Sequence, residues 1–458
     1  MIDTDNTLVK TLADFERAHD HVNRWVVAYS GGLDSTVLLH LLKGIASKTP
    51  VEAVHINHGL SELAGAWQQH CLECCTRWSI PLRVIEVQVK SVGSGIEDAA
   101  RQARYTAFEK VLEAGDGLLL AHHQDDQAET LLLRLLRGSG PRGLASMAVS
   151  RELGKARLYR PLLELTRHQL EVYARHHQLS WIDDDSNASL EFDRNYLRHR
   201  VMPALKQRWP GAAKRFATSA RHCAEAEQLM MEVAASDLDR AEPQQERLGE
   251  SLAMAPLRQM SRFRRGNLLR HWLTTRGLPL PEEAHLAEFE QQLLNGRSDS
   301  EAEVSFGGVM LRRYRERLYR LAPLPDKVAE DCDWDGRQPL AWGGWLLSLE
   351  PVQSGGFRLP AEGFRVSRRL PGERCHPAWR QHSQTLKKLL QESEVEPWLR
   401  DRVPILLNQG NPEREPVAVG HLWPCKGWQC EAGETGFQLH WQSLFSCSRN
   451  GSAHRSDK

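Results

Sequence analysis

The sequence predicts an α/β protein, in which a doubly wound parallel sheet is followed by a helical domain and a small mixed α+β domain. Three observations support this prediction. Short apolar runs alternate with helical patterns between residues 25 and 137, residues 210–295 are polar with apolar residues at helical spacing, and a link rich in Pro and Asp follows at 323–335. We predict domains at 1–210, 211–325 and 335–446, and a frayed tail at 447–458.

Length and composition restrict the class of protein. The 458 residues suffice for about three domains of ~150 residues, each with a buried core. Basic and acidic residues balance at 59 each, so a nucleic-acid surface must come from local clusters. No apolar run approaches the ~18 residues of a membrane span, and the N-terminal residues lack a secretory pattern. We therefore expect a cytoplasmic protein with no membrane partner, whose nine cysteines are reduced.

The elements of the first domain follow from apolar patterning. Strands are predicted at 25–29, 51–57, 81–89 and 118–121, and helices at 36–42, 63–78, 96–113 and 127–137. In a doubly wound sheet, ligands bind at the carboxyl ends of the strands. The segments that follow strands are therefore the candidate site, and they are 30–35, 55–58 and 122–126.

The first of these segments has the sequence SGGLDS and consists of Ser30, Gly31, Gly32, Leu33, Asp34 and Ser35. It joins a predicted strand to a predicted helix, whose free N–H groups bind anions. The glycines admit a phosphate, the two serines add hydroxyl donors, and Asp34 is a candidate Mg²⁺ ligand. A glycine turn with an N-cap would explain a bare SGG, but the full string after a buried strand favours phosphate binding. No Walker A motif occurs, which argues against P-loop kinases and GTPases.

The third segment lies in AHHQDDQAET, residues 121–130, and has three interpretations. Its histidines and carboxylates could bind zinc or magnesium, or His122 or Asp126 could act as a general base. The structural alternative is a solvated helix start, where the helix dipole favours acids. Because this segment shares a sheet edge with SGGLDS, we favour a functional role. Asp126, Glu129 and Thr130 then share one helix face.

Two other clusters have structural explanations as well. Arg101 and Arg104 could clamp phosphates, yet their spacing also fits a helix surface paired with nearby acids. Cys71, Cys74 and Cys75 could suggest sulfur transfer or an iron–sulfur cluster. The neighbouring tryptophans favour an amphipathic helix whose thiols pack in the core.

SGGLDS resembles the PP-loop of the N-type ATP pyrophosphatases, which split ATP between its α and β phosphates. Further segments, in order and spacing, resemble the tRNA(Ile)-lysidine synthetase family within that group. They are HINHGL, GIEDAARQARY, HHQDDQAET, RGSGPRGL, RPLL, DDDSN and RNYLRHRVMPAL, followed by a weaker C-terminal likeness in RVSRRLPGER, LKKLLQE, PWLRDRVPILL and VAVGHLW.

This resemblance implies a reaction and its participants. The family adenylates the oxygen on carbon 2 of the wobble cytidine in the isoleucine tRNA with a CAU anticodon. The ε-amine of free lysine then displaces AMP. The implied cofactors are ATP and Mg²⁺, the implied partners are that tRNA and free lysine, and a homodimer is compatible with the family.

The resemblance also distributes roles among residues. It implies ATP binding by residues 30–35 and by His55, with Asp34 as the metal ligand, and lysine binding by Asp126 and Glu129. Asp126, with His122, would accept the proton of the lysine ammonium. The catalytic set implied for the whole reaction is Asp34, His122, Asp126, Arg101, Arg104, Arg194 and Arg198.

Two alternatives from other classes stay open at this point. One is another PP-loop enzyme, either a tRNA thiolase or a small-molecule amide synthetase. The cysteines lie outside the three strand-exit segments, and no glutaminase domain is recognisable, which disfavours both. The other is a non-catalytic module that senses ATP, which would leave the acidic and arginine clusters unexplained.

Beyond the first domain, basic clusters are the informative feature. Residues 261–270 predict a basic helix that binds tRNA phosphates or is simply solvated. Residues 304–320 predict a hairpin that turns at Gly307 and Gly308, with arginines facing solvent or RNA. The third domain has a local positive excess, with Trp379 and Trp398 nearby as core residues or base-stacking platforms.

Overall fold

A computed structural model of the chain describes residues 2–45, 47–59, 63–88, 96–183, 189–296, 302–322, 329–353, 355–411, 413–431 and 433–444. The chain forms two compact units, Met1–Leu229 and Met230–Lys458. None of the helices described is long and apolar enough to cross a membrane. The predicted tail at 447–458 and most of the DDDSN segment lie outside the described residues.

The first unit contains one six-stranded sheet. Its strands are β1 (Arg24–Ala28), β2 (Val51–Asn57), β3 (Leu82–Glu86), β4 (Asp116–Leu119), β5 (Ser150–Leu153) and β6 (Ala156–Tyr159). The strand order is β3-β2-β1-β4-β6-β5, and every neighbouring pair is parallel except β5 with β6. The order reverses at β1, so the loops after β1 and β4 lie side by side at the carboxyl edge.

Helices cover both faces of this sheet. The helices of the chain up to Arg240 are α1 (Ile2–Ala18), α2 (Leu33–Gly44), α3 (Ala64–Trp78), α4 (Ile96–Val111), α5 (Gln124–Leu136), α6 (Pro141–Leu144), α7 (Arg167–His176), α8 (Asp193–Tyr196), α9 (Met202–Arg208) and α10 (Ala212–Arg240), with a π-helical turn at Leu197–Val201. Along β1, Trp25 and Val27 pack with α1, α2, α3 and α7, whereas Val26 packs with α4 on the other face. The predicted doubly wound α/β fold is confirmed.

The structure differs from the prediction at some elements of this unit. Helix α1 and the hairpin of β5 and β6 were not predicted. Helix α5 begins three residues before the predicted start at 127, because His123 caps it.

The second unit begins with a sheet and helices that share a core. The strands are β7 (Gln244–Glu246), β8 (Gly249–Ala253), β9 (Glu303–Phe306), β10 (Val309–Tyr314) and β11 (Arg317–Leu321), in the order β7-β8-β11-β10-β9. The helices are α11 (Met254–Gln259), α12 (Arg262–Thr274) and α13 (Glu283–Glu288), with a π-helical turn at Phe289–Leu294. Strands β7 and β8 interrupt a region that the pattern predicts to be helical.

The predicted hairpin is present as β9 and β10, and Gly307 and Gly308 form its turn with φ of 53° and 82°. Strand β11 extends it to three strands. The prediction that its arginines face solvent or RNA is wrong for Arg320, which is 2% exposed. In helix α12, Arg262, Arg264 and Arg265 pair with Glu283, Asp237 and Glu290.

The rest of the second unit is mixed α+β, as predicted. Its strands are β12 (Cys332–Trp334), β13 (Leu340–Trp342), β14 (Trp345–Val352), β15 (Phe364–Ser367), β16 (Arg374–Cys375), β17 (Gln384–Thr385), β18 (Ile405–Asn408), β19 (Pro416–Val419), β20 (Trp423–Pro424) and β21 (Gly436–Ser443), with helix α14 (Leu386–Glu392). They form sheets β12-β15-β18-β19-β20, β13-β14-β21 and β16-β17. Trp398 is buried in this core, whereas Trp379 is 62% exposed.

Candidate active site

The loop between β1 and α2 is ordered by its own polar groups. The Oγ atoms of Ser30 and Ser35 lie 3.0 Å apart, and Ser30 Oγ accepts the N–H of Gly32 at 3.3 Å. Thr36 Oγ1 donates to the carbonyl of Gly31 at 3.2 Å. Gly32 is the extended N-cap of α2 and offers no side chain to its first N–H groups, so this helix start suits an anion.

Gly31 is the loop position least able to accept a side chain. Its φ of 83° costs an L-residue about 1–2 kcal/mol, and a Cβ there would lie 2.4 Å from Ile182 Cδ1 and 2.9 Å from Cys71 Sγ. We expect Gly31→Ala to lower the free energy of unfolding by about 2 kcal/mol in denaturant titrations.

Gly32→Ala is the matched control for that substitution. Gly32 has a φ of −70°, and the nearest atom to an added Cβ is Ser30 Oγ at 3.4 Å. The control should change the free energy of unfolding by less than about 1 kcal/mol. Equal losses in both variants would show that the left-handed backbone of Gly31 is not the cause.

At the neighbouring strand end, a reciprocal pair of hydrogen bonds starts α5. His123 Nδ1 accepts the N–H of Asp126 at 3.4 Å, and Asp126 Oδ2 accepts the N–H of His123 at 3.1 Å. Asp125 accepts the N–H of Arg167 at 3.0 Å and pairs with Lys206. These bonds fix the direction in which the carboxylate of Asp126 points.

Asp126 and Glu129 form a buried network with two arginines. Arg194 contacts Asp126 Oδ1 and Glu129 Oε2, each at 3.0 Å. Arg198 contacts the same Asp126 oxygen at 3.0 Å and the two Glu129 oxygens at 2.7 and 2.8 Å. Burial would raise the pKa of Asp126, but His123 and the arginines outweigh it and hold that pKa well below its usual range. Asp126 is therefore ionised at neutral pH and a weak proton acceptor.

Asp34 is linked to this network through His123. His123 Nε2 lies 3.6 Å from Asp34 Oδ2 and 3.4 Å from Asp126 Oδ2, and Arg167 Nη1 lies 3.5 Å from Asp34 Oδ2. Burial would lower the pKa of His123, but Asp126, Asp34 and Asp125 outweigh it and raise that pKa. Asp34 Oδ1 is buried and has no hydrogen-bond partner among the described residues. That oxygen fits the role of a ligand for a hard cation such as Mg²⁺.

His122 is held in one tautomer by a neighbouring arginine. Arg160, which is 4% exposed, donates from Nε to His122 Nδ1 at 3.1 Å. Burial, only partly offset by Asp126, lowers the pKa of His122 to about 4. At neutral pH the ring is therefore uncharged and carries its proton on Nε2, where it can donate.

These groups meet in one cavity of about 400 Å³. Five arginines and three aspartates are among its lining residues, so its excess of positive charge suits a polyanion such as a nucleoside triphosphate. The residues that line it are Ala28, Ser30, Gly32, Leu33, Asp34, Ser35, Arg101, Arg104, Tyr105, Phe108, Leu120, Ala121, His122, Asp126, Arg167, Ile182, Asp183, Arg194 and Arg198.

A smaller cavity of about 120 Å³ shares Ser30 and Arg104 with the first. His55 lines it, and its Nδ1 lies 3.0 Å from the carbonyl of Tyr29. Burial lowers the pKa of His55, so this ring is neutral and Nδ1–H donates to the carbonyl. Trp67 and Asn57, at the end of β2, also line it.

Comparison with known proteins places this geometry in a family. A model of the PP-loop domain matches residues 4–205, one of the TilS substrate binding domain matches 252–319, and one of the TilS substrate C-terminal domain matches 364–441. A tRNA(Ile)-lysidine synthase of Alkalilimnicola ehrlichii is 43% identical over 441 residues, covering 94% of this chain and 97% of that protein. The chain belongs to the tRNA(Ile)-lysidine synthase family.

Other members of the tRNA(Ile)-lysidine synthase family agree over almost the same length. The protein of Serratia proteamaculans is 41% identical, covering 96% of this chain and 99% of that protein. That of Coxiella burnetii is 37% identical, covering 92% and 93%. The matched ranges fall inside the three predicted domains, whose boundaries stay a prediction.

Most residues predicted from family motifs line the main cavity. Three lie outside its lining set. Gly31 lies in the loop between β1 and α2, His55 lines the smaller cavity, and Glu129 is 2% exposed. Glu129 instead holds Arg194 and Arg198 in place. The predicted contact between Glu129 and lysine thus requires an arginine to move away first. The structure also disfavours Asp126 and His122 as proton acceptors, because their pKa values are lowered.

Four residues that hold the site in place received no individual role from the sequence, although His123 lies in the candidate segment 122–126 and Arg160 begins the RPLL motif. They are His123, Arg160, Arg167 and Lys206, which hold Asp34, His122, Asp125 and Asp126. The capping role of His123 could have been predicted, because this residue precedes an acid-rich helix start, where an N-cap is expected. The other three join segments far apart in sequence, so spacing alone could not connect them.

The lowered pKa of His122 predicts acid sensitivity. The unfolded state takes up a proton on this histidine near pH 6.5 and the folded state only near pH 4, so stability falls as pH falls through that window. Between pH 7 and pH 4 we expect the native chain to lose about 2 kcal/mol more than His122→Asn does, in denaturant unfolding. Part of the ring faces the cavity, which keeps the loss below that of full burial.

The control for the acid titration is His168→Asn, an exposed histidine on α7. It should follow the native chain at every pH. If His122→Asn and the native chain lose stability in parallel, the histidine is not buried in its neutral form.

The three clustered cysteines are structural, as expected. Cys71, Cys74 and Cys75 are at most 2% exposed on α3. Burial raises the pKa of Cys71 and of Cys75 to about 12, so these thiols are poor nucleophiles. This weighs against the thiolase alternative.

Proposed function

We propose that this chain attaches free L-lysine to carbon 2 of the wobble cytidine in an isoleucine tRNA with a CAU anticodon, converting ATP to AMP and pyrophosphate. The observation that carries the proposal is the single cavity that joins a PP-loop to the Asp126 network and to Arg101 and Arg104. Membership of the tRNA(Ile)-lysidine synthase family supports it. Such a reaction would take place in the cytoplasm, and a homodimer stays a prediction.

The PP-loop half of the cavity would bind ATP. The helix start at Gly32 and the hydroxyls of Ser30 and Ser35 suit the pyrophosphate end. Asp34 Oδ1 would hold Mg²⁺, which neutralises phosphate charge when bound. The smaller cavity beside His55 would take the adenosine end, since it opens between the ends of β1 and β2.

The arginines would stabilise charge at the α-phosphate. Arg101 and Arg104 of α4 line the main cavity, and Arg104 also lines the smaller cavity. The oxygen on carbon 2 of cytosine is a poor leaving group. When it attacks the α-phosphate of ATP, pyrophosphate leaves and the oxygen becomes part of a good leaving group, AMP. Fixed positive charges stabilise the negative charge that grows on the phosphate during that attack.

Lysine would bind where Arg194 and Arg198 now neutralise Asp126 and Glu129. Its ammonium has a pKa of about 10.4, so it arrives charged and must lose a proton before it attacks carbon 2. When a bound phosphate pairs with Arg194 in place of the carboxylates, Asp126 and Glu129 can bind the lysine ammonium instead. The ammonium gives its proton to water, because Asp126 and His122 are both weak proton acceptors at neutral pH. Asp126 orients the free amine, whose attack on carbon 2 expels AMP, while neutral His122 donates from Nε2 to an oxygen of the intermediate.

A labelled-lysine assay tests the proposal. Purified protein is incubated with ATP, Mg²⁺, radiolabelled lysine and tRNA transcripts that differ only at the first anticodon position. Label should enter only the RNA with C at that position, and only with ATP. ATP cleavage without transfer of lysine would move the substrate to another amine or sulfur donor. No RNA-dependent cleavage would leave the ATP-sensing or small-molecule alternatives.

A further inference from the structure

The C-terminal end of α7 meets the start of α1. His176 Nδ1 and His177 Nε2 both contact the same atom, Asp5 Oδ2, the latter at 3.2 Å. The candidate metal-ligand atoms, one from each of the three residues, all lie within 4.8 Å of one another. We propose that Asp5, His176 and His177 form a binding site for a divalent transition-metal ion that joins α1 to α7.

The convergence of the two rings is the first argument. Consecutive residues of a helix point about 100° apart, so neighbouring histidines do not normally face one atom. Here they do so because one uses Nδ1 and the other Nε2, and because His177 lies just past the end of α7. The ring of His177 is also held, since its centroid is 4.2 Å from that of Tyr173 and 5.1 Å from that of His40.

The second argument is the hydrogen bonding of the Asp5 carboxylate. Asp5 Oδ2 takes both histidine contacts, whereas Asp5 Oδ1 is buried and has no hydrogen-bond partner among the residues described. A buried carboxylate oxygen without a partner is costly, and a cation bound to the carboxylate would offset that cost. Asp5 is 17% exposed and the histidines are 47% and 35% exposed, so water can complete the coordination.

The donor set selects the class of metal. Two imidazole nitrogens and one carboxylate oxygen suit Zn²⁺ and related ions, whereas Ca²⁺ and Mg²⁺ prefer oxygen ligands alone. Tetrahedral Zn²⁺ with ligands at about 2.0–2.1 Å separates its donor atoms by roughly 3.3 Å. The distance of 3.2 Å from His177 Nε2 to Asp5 Oδ2 is close to that value, and all three donor atoms lie within 4.8 Å of one another. The site is structural in this proposal and does not depend on the proposed function.

Equilibrium dialysis of the full chain against Zn²⁺, with metal counted by mass spectrometry, tests the site. The native chain should bind one more Zn²⁺ than Asp5→Asn or His176→Ala. The control His168→Ala removes another exposed histidine of α7 and should bind as the native chain does. Zn²⁺ should also raise the thermal midpoint of the native chain and the control by about 5 °C, and leave both site variants unchanged.

Two results would overturn the proposal. One is equal Zn²⁺ stoichiometry and affinity in the native chain and both site variants. The other is a loss of stability in Asp5→Asn without metal while Zn²⁺ adds nothing to the native chain, which would make the cluster a simple ion pair.

Discussion

Asp34→Asn is expected to reduce ATP-dependent lysine transfer by about 10³-fold while the fold stays intact. The substitution keeps the shape of the side chain and removes its charge from the PP-loop cavity, where Oδ1 is unpartnered and Oδ2 faces Arg167 and His123. A lost metal ligand beside reacting phosphates costs several kcal/mol of transition-state stabilisation, and each tenfold in rate is about 1.4 kcal/mol. Initial rates of AMP release over a range of Mg²⁺ concentrations measure the effect.

Glu171→Gln is the matched control for Asp34→Asn. Glu171 pairs with the same arginine, Arg167, at 3.1 Å, but lies outside the cavity lining. Its rate should stay within about twofold of the native rate, as expected for a partly exposed ion pair. If Asp34→Asn keeps more than a tenth of the native rate with an unchanged Mg²⁺ dependence, Asp34 is not the metal ligand.

Glu129→Gln is expected to lower both stability and activity. It leaves Arg194 Nε and two nitrogens of Arg198 facing a neutral amide at a site where Glu129 is only 2% exposed. Removing one partner of a buried ion pair costs about 3 kcal/mol, which lowers the thermal midpoint of this unit by about 6–12 °C. Misplaced arginines should also slow lysine transfer by about 10²-fold below the new midpoint.

The control for Glu129→Gln is an arginine–glutamate ion pair in solvent. Arg221 and Glu225 pair on α10 with side chains 58% and 60% exposed, so Glu225→Gln should shift the midpoint by no more than about 1 °C. Equal shifts in the two variants would mean that the Asp126 and Glu129 network contributes no more than a surface pair.

The parts of the site that sequence predicted well are local. The strand, loop and helix around Gly31 lie within one short segment, and the turn needs glycine for reasons visible in the residue types alone. The same holds for the buried cysteines of α3, whose helical spacing beside tryptophans indicated a packed face. The sheet class followed from alternating patterns, without knowledge of any contact between elements.

The pairing within the site could not be predicted in this way. Arg194 and Glu129 are 65 residues apart in sequence, and His122 and Arg160 are 38 apart. Which arginine neutralises which acid depends on how α5 packs with α8 and with the π-helical turn that follows it. The pKa of His122 depends mainly on burial, and that of Asp126 on His123 and these arginines, and none of this is visible in the sequence. Sequence therefore favoured Asp126 as a base, and the structure favours it as a fixed charge.

Some missed elements did leave a signal. Leu8, Leu12 and Phe15 recur at helical spacing in α1 and pack in the core of the first unit. The hairpin of β5 and β6 turns at Gly154, whose φ is 57°. The burial of Arg320 left no signal in the sequence. The other arginines of β10 and β11 follow the pattern of an exposed strand, and only the packing of the sheet buries Arg320.

The central claim is that the PP-loop cavity activates the RNA base rather than the amino acid. Protein is incubated with ATP labelled at the α-phosphate and with the CAU tRNA, first without lysine. We expect label to appear on the RNA and to leave as AMP when lysine is added. Label on lysine, or no labelled RNA at any time although lysine transfer proceeds, would contradict this account.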